Sequence, residues 1–255
     1  MSKLRQQMLW KKNSLFNYQA DGEAVFTKKE LDSIKIDDVG LFSVTNAEQA
    51  TKMAIACAKV FHKLPNSQGR KPWITDGCAC VGGNVFGFAL SNLFYHVQSV
   101  EYDHNRKQML ESNVKILQKK CQTPVTVFED SYLSAMTYLQ QDIVFLDPPW
   151  GGTDYENGES VKLELGGKTV TDIIEYLKNL SHKNDTQLVF WKAPEKNYDE
   201  HDMHTQMSGL GLTMNEVPGF RKMKLFYVNL RETAAEANQT QSNQTRPGQT
   251  RPNHY

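Results

Sequence analysis

The stretch Asp142-Ile143-Val144-Phe145-Leu146-Asp147-Pro148-Pro149-Trp150-Gly151-Gly152 constrains the fold of this chain more than any other. Four consecutive apolar residues, two of them β-branched, suit a central strand of a parallel sheet, buried on both faces. The prolines that follow can continue neither a ladder nor a helix, so the chain must leave the sheet at Asp147. Open α/β sheets bind ligands at such exits, beyond the carboxyl ends of their strands. With two prolines fixing the backbone, the Asp147 side chain and a carbonyl can accept hydrogens from a planar exocyclic amine, and Trp150 offers a face on which a base can stack. That arrangement suits the methylation of an amino group on a nucleobase. Taken alone, the motif also reads as a surface turn with a packing Trp.

The stretch does not stand alone. Trp73 to Cys80 reads as a short strand running into Val81-Gly82-Gly83-Asn84 and a helix over Val85–Phe94, a glycine-rich turn that brings a ligand close to backbone and to a positive helix end. Its spacing is not Gly-x-Gly-x-x-Gly, so the dinucleotide fingerprint is absent. A second strand, His96 to Tyr102, carries Glu101, where an acid can grip ribose hydroxyls. A helix follows from His104 to about Lys119, and a third strand, Val125 to Phe128, is followed by Glu129 and Asp130. Each acid alone suits a helix cap or a surface position. Asp76, Glu101 and Asp130 at successive strand ends instead outline a ligand rim.

The rest of the chain continues the alternation. Thr153 to Lys168 reads as a polar loop able to act as a lid or substrate guide, Thr169 to Leu180 as a helix, Gln187 to Trp191 as a fifth strand, and Tyr198 to about Ser208 as a helix. Leu212–Val217 and Lys224–Leu230, around Pro218-Gly219, read as an antiparallel pair that closes the sheet. The pattern predicts a doubly wound α/β domain.

Upstream, residues 1–40 scatter Trp10, Phe16, Tyr18 and Phe26 among charges with no sustained period, which predicts an arm and not a core. The arm could turn Lys11, Lys12, Lys28 and Lys29 toward an anionic ligand, although a solvated basic face is the commoner reading. Thr45 and Glu48 spell a capping box for a helix whose apolar face runs through Ala50, Met53, Ala54, Cys57 and Phe61. Beyond Arg231 the chain turns to Gln, Asn, Thr, Pro and Arg, too poor in apolar residues to order itself. The predicted organisation is therefore an amino-terminal arm and helix over 1–64, a core over 65–231 and a disordered tail over 232–255.

Lys+Arg and Asp+Glu both number 29, so any nucleic-acid contact must come from a local basic patch. No apolar run approaches a membrane span and no signal-peptide core opens the sequence, which predicts an intracellular protein, nuclear or cytoplasmic and not secreted. Cys57, Cys78, Cys80 and Cys121 lack metal-ligand spacing, so no metal site is expected and the thiols read as reduced.

These blocks together resemble the trimethylguanosine synthase family of class I S-adenosylmethionine-dependent methyltransferases, over roughly residues 8–230. The family's Phe-Ser-Val-Thr stands at Phe42-Ser43-Val44-Thr45. Its turn Asp-x-x-Cys-Gly-Val-Gly-Gly-Asn is similar to Asp76–Asn84, with Ala79 and Cys80 in place of Cys and Gly. Its Ser-Pro-Pro-Trp-Gly-Gly-Pro-Asp-Tyr is similar to Asp147–Tyr155, with Asp147 in place of Ser.

The resemblance implies a Rossmann-like class I methyltransferase fold, a seven-stranded mostly parallel sheet with helices on both faces and a small helical amino-terminal extension. It implies methyl transfer from S-adenosyl-L-methionine to the exocyclic N2 of the 7-methylguanosine cap of RNA, by a monomer without metal. Asp76 and the Gly77-Cys78 backbone would hold the methionine end, Glu101 the ribose hydroxyls and Asp130 the adenine amine, with Asn84 and Tyr102 also among the cofactor-binding residues. Phe42, Thr45 and Asp147 would complete the cofactor pocket. Asp147 and Pro148 would orient the amine, Trp150 would stack on the cationic base, and Lys11, Lys192 and Lys196 are candidates for the cap phosphates. Asp-Pro-Pro-Trp is also the form found in adenine-N6 methyltransferases, which keeps an RNA adenine-N6 methyltransferase as an alternative. The altered turn keeps a third reading open, an inactive cap-binding module.

Overall fold

A computed structural model describes residues 3–65, 67–150, 160–180 and 185–231. The expected tail and the stretch Gly151–Tyr155 that carries part of the resemblance lie outside the described residues, as do the first seven residues of the expected lid.

The chain begins with α1 (Lys3–Leu15), the short strands β1 (Gln19–Ala20) and β2 (Glu23–Ala24), α2 (Lys28–Ser33), α3 (Asp38–Ser43) and α4 (Ala47–Phe61). An alternating series follows: β3 (Trp73–Asp76), α5 (Gly83–Leu90), β4 (His96–Glu101), α6 (His104–Leu117), β5 (Val125–Glu129), α7 (Tyr132–Ala135) and β6 (Ile143–Leu146). A small hairpin, β7 (Glu164–Leu165) with β8 (Lys168–Thr169), leads to α8 (Val170–Leu180), β9 (Leu188–Pro194), α9 (Glu200–Gly209), β10 (Asn215–Val217) and β11 (Met223–Asn229).

Seven strands form one sheet in the order β10-β11-β9-β6-β3-β4-β5. The pairs β9–β6, β6–β3, β3–β4 and β4–β5 are parallel, while β11 pairs antiparallel with both β9 and β10. This is the doubly wound α/β sheet that the strand and helix pattern predicts, in the Rossmann-like class I methyltransferase arrangement that the resemblance implies. Alternate strand residues feed two separate cores. Ile74, Val97, Ile143, Phe145, Leu188 and Phe190 pack beneath α4, α5 and α6, while Val100, Val144, Leu146, Val189 and Trp191 pack beneath α7, α8 and α9. Burial on both faces is why the β6 residues read as a continuous apolar run.

At the amino ends of β3 and β6, Asp142 takes both guanidinium nitrogens of Arg70 (2.7 and 2.5 Å) and the Trp73 amide (2.8 Å). The two central strands are thereby held in register at the end remote from their ligand-binding edge.

Two expectations are corrected. The amino-terminal aromatic residues are core, not an arm: Phe16, Tyr18 and Phe26 are buried around Phe86 of α5, with ring centroids 5.0, 6.1 and 5.6 Å from it. They come from a helix end and a hairpin, so their convergence leaves no period in the sequence. Lys12 is buried as well, its ammonium donating to the Asp32 and Ile34 carbonyls, and so is not presented to a ligand. The second correction concerns α4, which is capped by Asn46, whose side chain accepts from the Gln49 amide at 3.0 Å. Thr45 is one residue too early to cap, and its hydroxyl is engaged elsewhere.

Candidate active site

The strand order reverses between β3 and β6, and at that point a crevice opens beyond their carboxyl ends. A cavity of about 480 Å³ lies there. Three segments remote in sequence line it: Val39 with Phe42–Thr45, Cys78–Cys80 with Gly83 and Asn84, and Asp147–Trp150, joined by Lys192.

The Asp147 loop is held from two sides. Its Oδ2 accepts from the Lys192 ammonium at 2.5 Å and from the Asn84 side-chain amide at 3.1 Å. Lys192 is itself buried in β9, donates to the Thr45 hydroxyl at 3.0 Å, and stands 5.5 Å from the centroid of the Trp150 ring. Pro148 is buried beside it, Pro149 is exposed, and Trp150 is half-buried against the core under α8.

The turn after β3 is shaped for close approach. The Gly77 amide extends the ladder to the Phe145 carbonyl, the Cys78 amide donates to Asp76 Oδ1 at 3.1 Å, and Gly82 adopts φ +109°. A Cβ on Gly83 would stand 2.9 Å from the Thr45 amide nitrogen, so only glycine lets α5 begin against the Phe42–Thr45 segment. Cys80 is left-handed, with φ +48°, at the position where the resemblance has glycine. Burial, aided by Glu101, pushes its thiol up to about 12, and burial raises Cys78 also, so neither is a nucleophile at neutral pH.

Asp76 is fully buried, and burial followed by the nearby Asp147 charge pushes its carboxyl up to about 7, against the lowering effect of the Cys78 amide. Its Oδ2, like Asn84 Oδ1, is a buried acceptor with no partner among the described residues. Unpaired buried acceptors are costly, and both suit a ligand that brings donors. Glu101, also buried, accepts from the Asp103 amide at 2.9 Å and lies 3.6 Å from Arg106. Both Asp130 oxygens are engaged locally, by the Ser131 amide and by the Ser134 and Tyr138 hydroxyls, and the Tyr138 bond foremost lowers its carboxyl.

Of the residues singled out in the sequence, the cavity wall brings together Phe42, Thr45, Cys78, Asn84, Asp147, Pro148, Trp150 and Lys192. Asp76 and Gly77 lie behind the wall in the turn, Glu101, Tyr102 and Asp130 stand at the next two strand ends, and Lys196 is exposed beyond β9. Lys11 lies over the exposed Phe42 ring, 4.2 Å from its centroid. Lys192 is the main displacement from expectation: it is an internal partner of Asp147 and not a surface cation. A lysine inside the otherwise apolar run Leu188-Val189-Phe190-Trp191-Lys192-Ala193 was the available signal, since buried lysines are almost always paired. Val39 at the cavity mouth carried no signal.

Among the described residues, no helix is long and apolar enough to cross a membrane, and no group of three His, Cys, Asp or Glu could hold a metal ion. A family model described as RNA cap guanine-N2 methyltransferase matches residues 72–194. An uncharacterized protein of Acanthamoeba polyphaga mimivirus is 30% identical over 191 residues, spanning 68% of this chain and 71% of the relative. Solved structures similar to this chain include a SAM-dependent methyltransferase from Agrobacterium tumefaciens (11% identity, 73% of this chain and 62% of that one, TM-score 0.49). A human methyltransferase 10 domain containing protein is also similar (12%, 88% and 96%, TM-score 0.48). The matched stretch runs from β3 to the end of β9 and holds the glycine turn, the Asp147 loop and Lys192 together, and the chain belongs to the RNA cap guanine-N2 methyltransferase family.

Proposed function

We propose that this protein transfers a methyl group from S-adenosyl-L-methionine to the exocyclic N2 of a 7-methylguanosine RNA cap, giving 2,7-dimethyl or 2,2,7-trimethyl caps. The observation that carries this reading is the convergence of Phe42–Thr45, the Asp76–Asn84 turn and Asp147–Trp150 on one cavity at the strand-order reversal. The residues present fit the cofactor: Asp76 Oδ2 in the turn behind the cavity wall and Asn84 Oδ1 in the wall are buried acceptors awaiting donors.

In this scheme Asp76, Gly77, Cys78 and Asn84 hold the methionine end of the cofactor, which supplies an electrophilic methyl group on a sulfonium. Glu101 and Tyr102 take the ribose, and Asp130 shares its carboxylate with the adenine amine. Residues 1–64 complete the pocket through Thr45 and Phe42. Trp150 stacks on the cap base, whose positive charge adds about 0.5–2 kcal/mol of cation–π attraction over a neutral guanine. Asp147 and the Pro148 carbonyl accept the amine hydrogens and turn its lone pair toward the methyl group, so catalysis is mainly alignment. Lys11 and Lys196 are the cations left for cap phosphates, Lys192 being occupied. Capped RNA as substrate puts the reaction inside the cell, with the chain acting as a monomer.

Asp147 in place of Ser favours one second reading, methylation of an adenine N6 in RNA. The test is methyl transfer to paired cap analogues with and without the 7-methyl group, read by mass analysis. Mass gain on the 7-methylated analogue alone supports the cap reading. Reaction of an adenine-containing RNA with neither analogue methylated transfers the assignment to adenine N6.

A further inference from the structure

The Asp147 loop carries a charge that the family's Ser does not, and the fold answers it with a second charge. Lys192 is 3% exposed in the central strand β9, where a lone ammonium could not stay charged without a partner. Its ammonium reaches three groups on two segments: Asp147 Oδ2 and the Trp150 ring, at 5.5 Å, in the loop after β6, and the Thr45 hydroxyl between α3 and α4. Asn84 binds the same oxygen of Asp147 that Lys192 binds. Both contacts therefore fall on Oδ2, and among the described residues no hydrogen bond falls on Oδ1.

From this geometry we infer that Lys192 is a positioning residue: it is the built-in counter-charge of Asp147, cancelling the carboxylate's field in the pocket and fixing Oδ2 so that Oδ1 is the oxygen offered to the substrate amine. The inference deepens the methyl-donor reading above and rests on it. One consequence follows for the pocket. A cationic ligand meets a compensated pair and not a bare carboxylate, so donor and product are held with less difference in affinity than Asp147 alone would impose.

The methyl donor and its demethylated product provide the probe, because the first carries a sulfonium charge and the second a neutral thioether at the same atom. Calorimetry at one fixed pH gives the affinity ratio of S-adenosylmethionine to S-adenosylhomocysteine for the native protein, Lys192→Met, Asp147→Asn and the double variant. Removing one nearby charge from a partly desolvated site is expected to change that ratio about tenfold. Lys192→Met should therefore raise it about tenfold, and adding Asp147→Asn should return it to within about threefold of native. Should Lys192→Met not fold, the double variant compared with Asp147→Asn alone answers the same question, and the ratio should again rise about tenfold on losing the lysine. If both ligands instead weaken in proportion and the ratio stands still, Lys192 is only a brace between Thr45 and the loop, and the inference is overturned. A native protein that binds neither ligand sinks the methyl-donor reading itself, and this inference with it.

Discussion

Asp76 ends β3 where Asp147 follows β6 on the adjoining parallel strand, so two carboxylates meet at the seam where the sheet reverses. Burial, with Asp147 adding to it, pushes Asp76 up to about 7, far above the ordinary aspartate range. Between the unfolded value and 7 the folded chain holds the extra proton, so Asp76 favours folding at low pH, and that contribution is lost as pH rises through about 7. Asp76→Asn should accordingly gain stability over the native chain between pH 5 and pH 8, by on the order of 1 kcal/mol or more, in denaturant melts of the ligand-free protein. An ammonium donor prefers the ionised carboxylate, so affinity of the native chain for S-adenosylmethionine should rise from pH 6 to pH 8. A flat profile in both measurements would show that Asp76 is already ionised at pH 5.

Trp150→Ala should remove methyl transfer to a 7-methylated cap analogue, at least 100-fold in kcat/KM, while cofactor affinity stays within about threefold. Parallel loss of both, in activity assays and calorimetry on the same preparation, would identify Trp150 as a packing residue of the core under α8.

Cys80 bears a side chain in the left-handed region, at a position that glycine occupies without cost. Cys80→Gly should stabilise the turn by about 1 kcal/mol, raising Tm by a few degrees, with the lost thiol packing offsetting part of the gain. A lower Tm would mean that packing of the half-buried thiol outweighs the backbone term.

Asn113 joins the amino-terminal segment to the glycine turn. Its side chain accepts from the Lys35 amide at 2.7 Å and donates to the Lys35 carbonyl at 2.8 Å and the Val81 carbonyl at 2.9 Å. Asn113→Ala leaves buried backbone groups unpaired and should cost about 1–3 kcal/mol in a denaturant melt. It should also weaken cofactor binding, because Val81 lies in the turn between Cys80 and Gly83 of the cavity wall.

How far the sequence could be read follows from how local each determinant is. The β6 run, the helix faces and the final antiparallel pair are written in neighbouring residues, and their order in the sheet follows from the alternation of strand and helix. The Asp147 loop was legible for the same reason, since the apolar run and the prolines adjoin. Phe16, Tyr18 and Phe26 were not, because what unites them is Phe86, sixty or more residues downstream. Thr45 illustrates the point at a single atom: Ser or Thr ahead of a helix suits capping, and only the distant Lys192 reveals where its hydroxyl goes. The same separation concealed that Lys192 neutralises the loop instead of waiting for a phosphate.

The Thr45–Lys192 hydrogen bond spans 147 residues of chain. At about 5–20 residues per second of synthesis, roughly 7–30 s pass between the two residues leaving the ribosome's peptidyl centre. Within that interval the glycine turn and then the Asp147 loop are made, each before the cation that holds Asp147 to Thr45. The cofactor therefore has no finished pocket to bind while most of the sheet is being laid down, and cannot serve as its template; the apolar strands and α4–α6 must assemble on their own, with ligand stabilisation arriving only after β9 has docked.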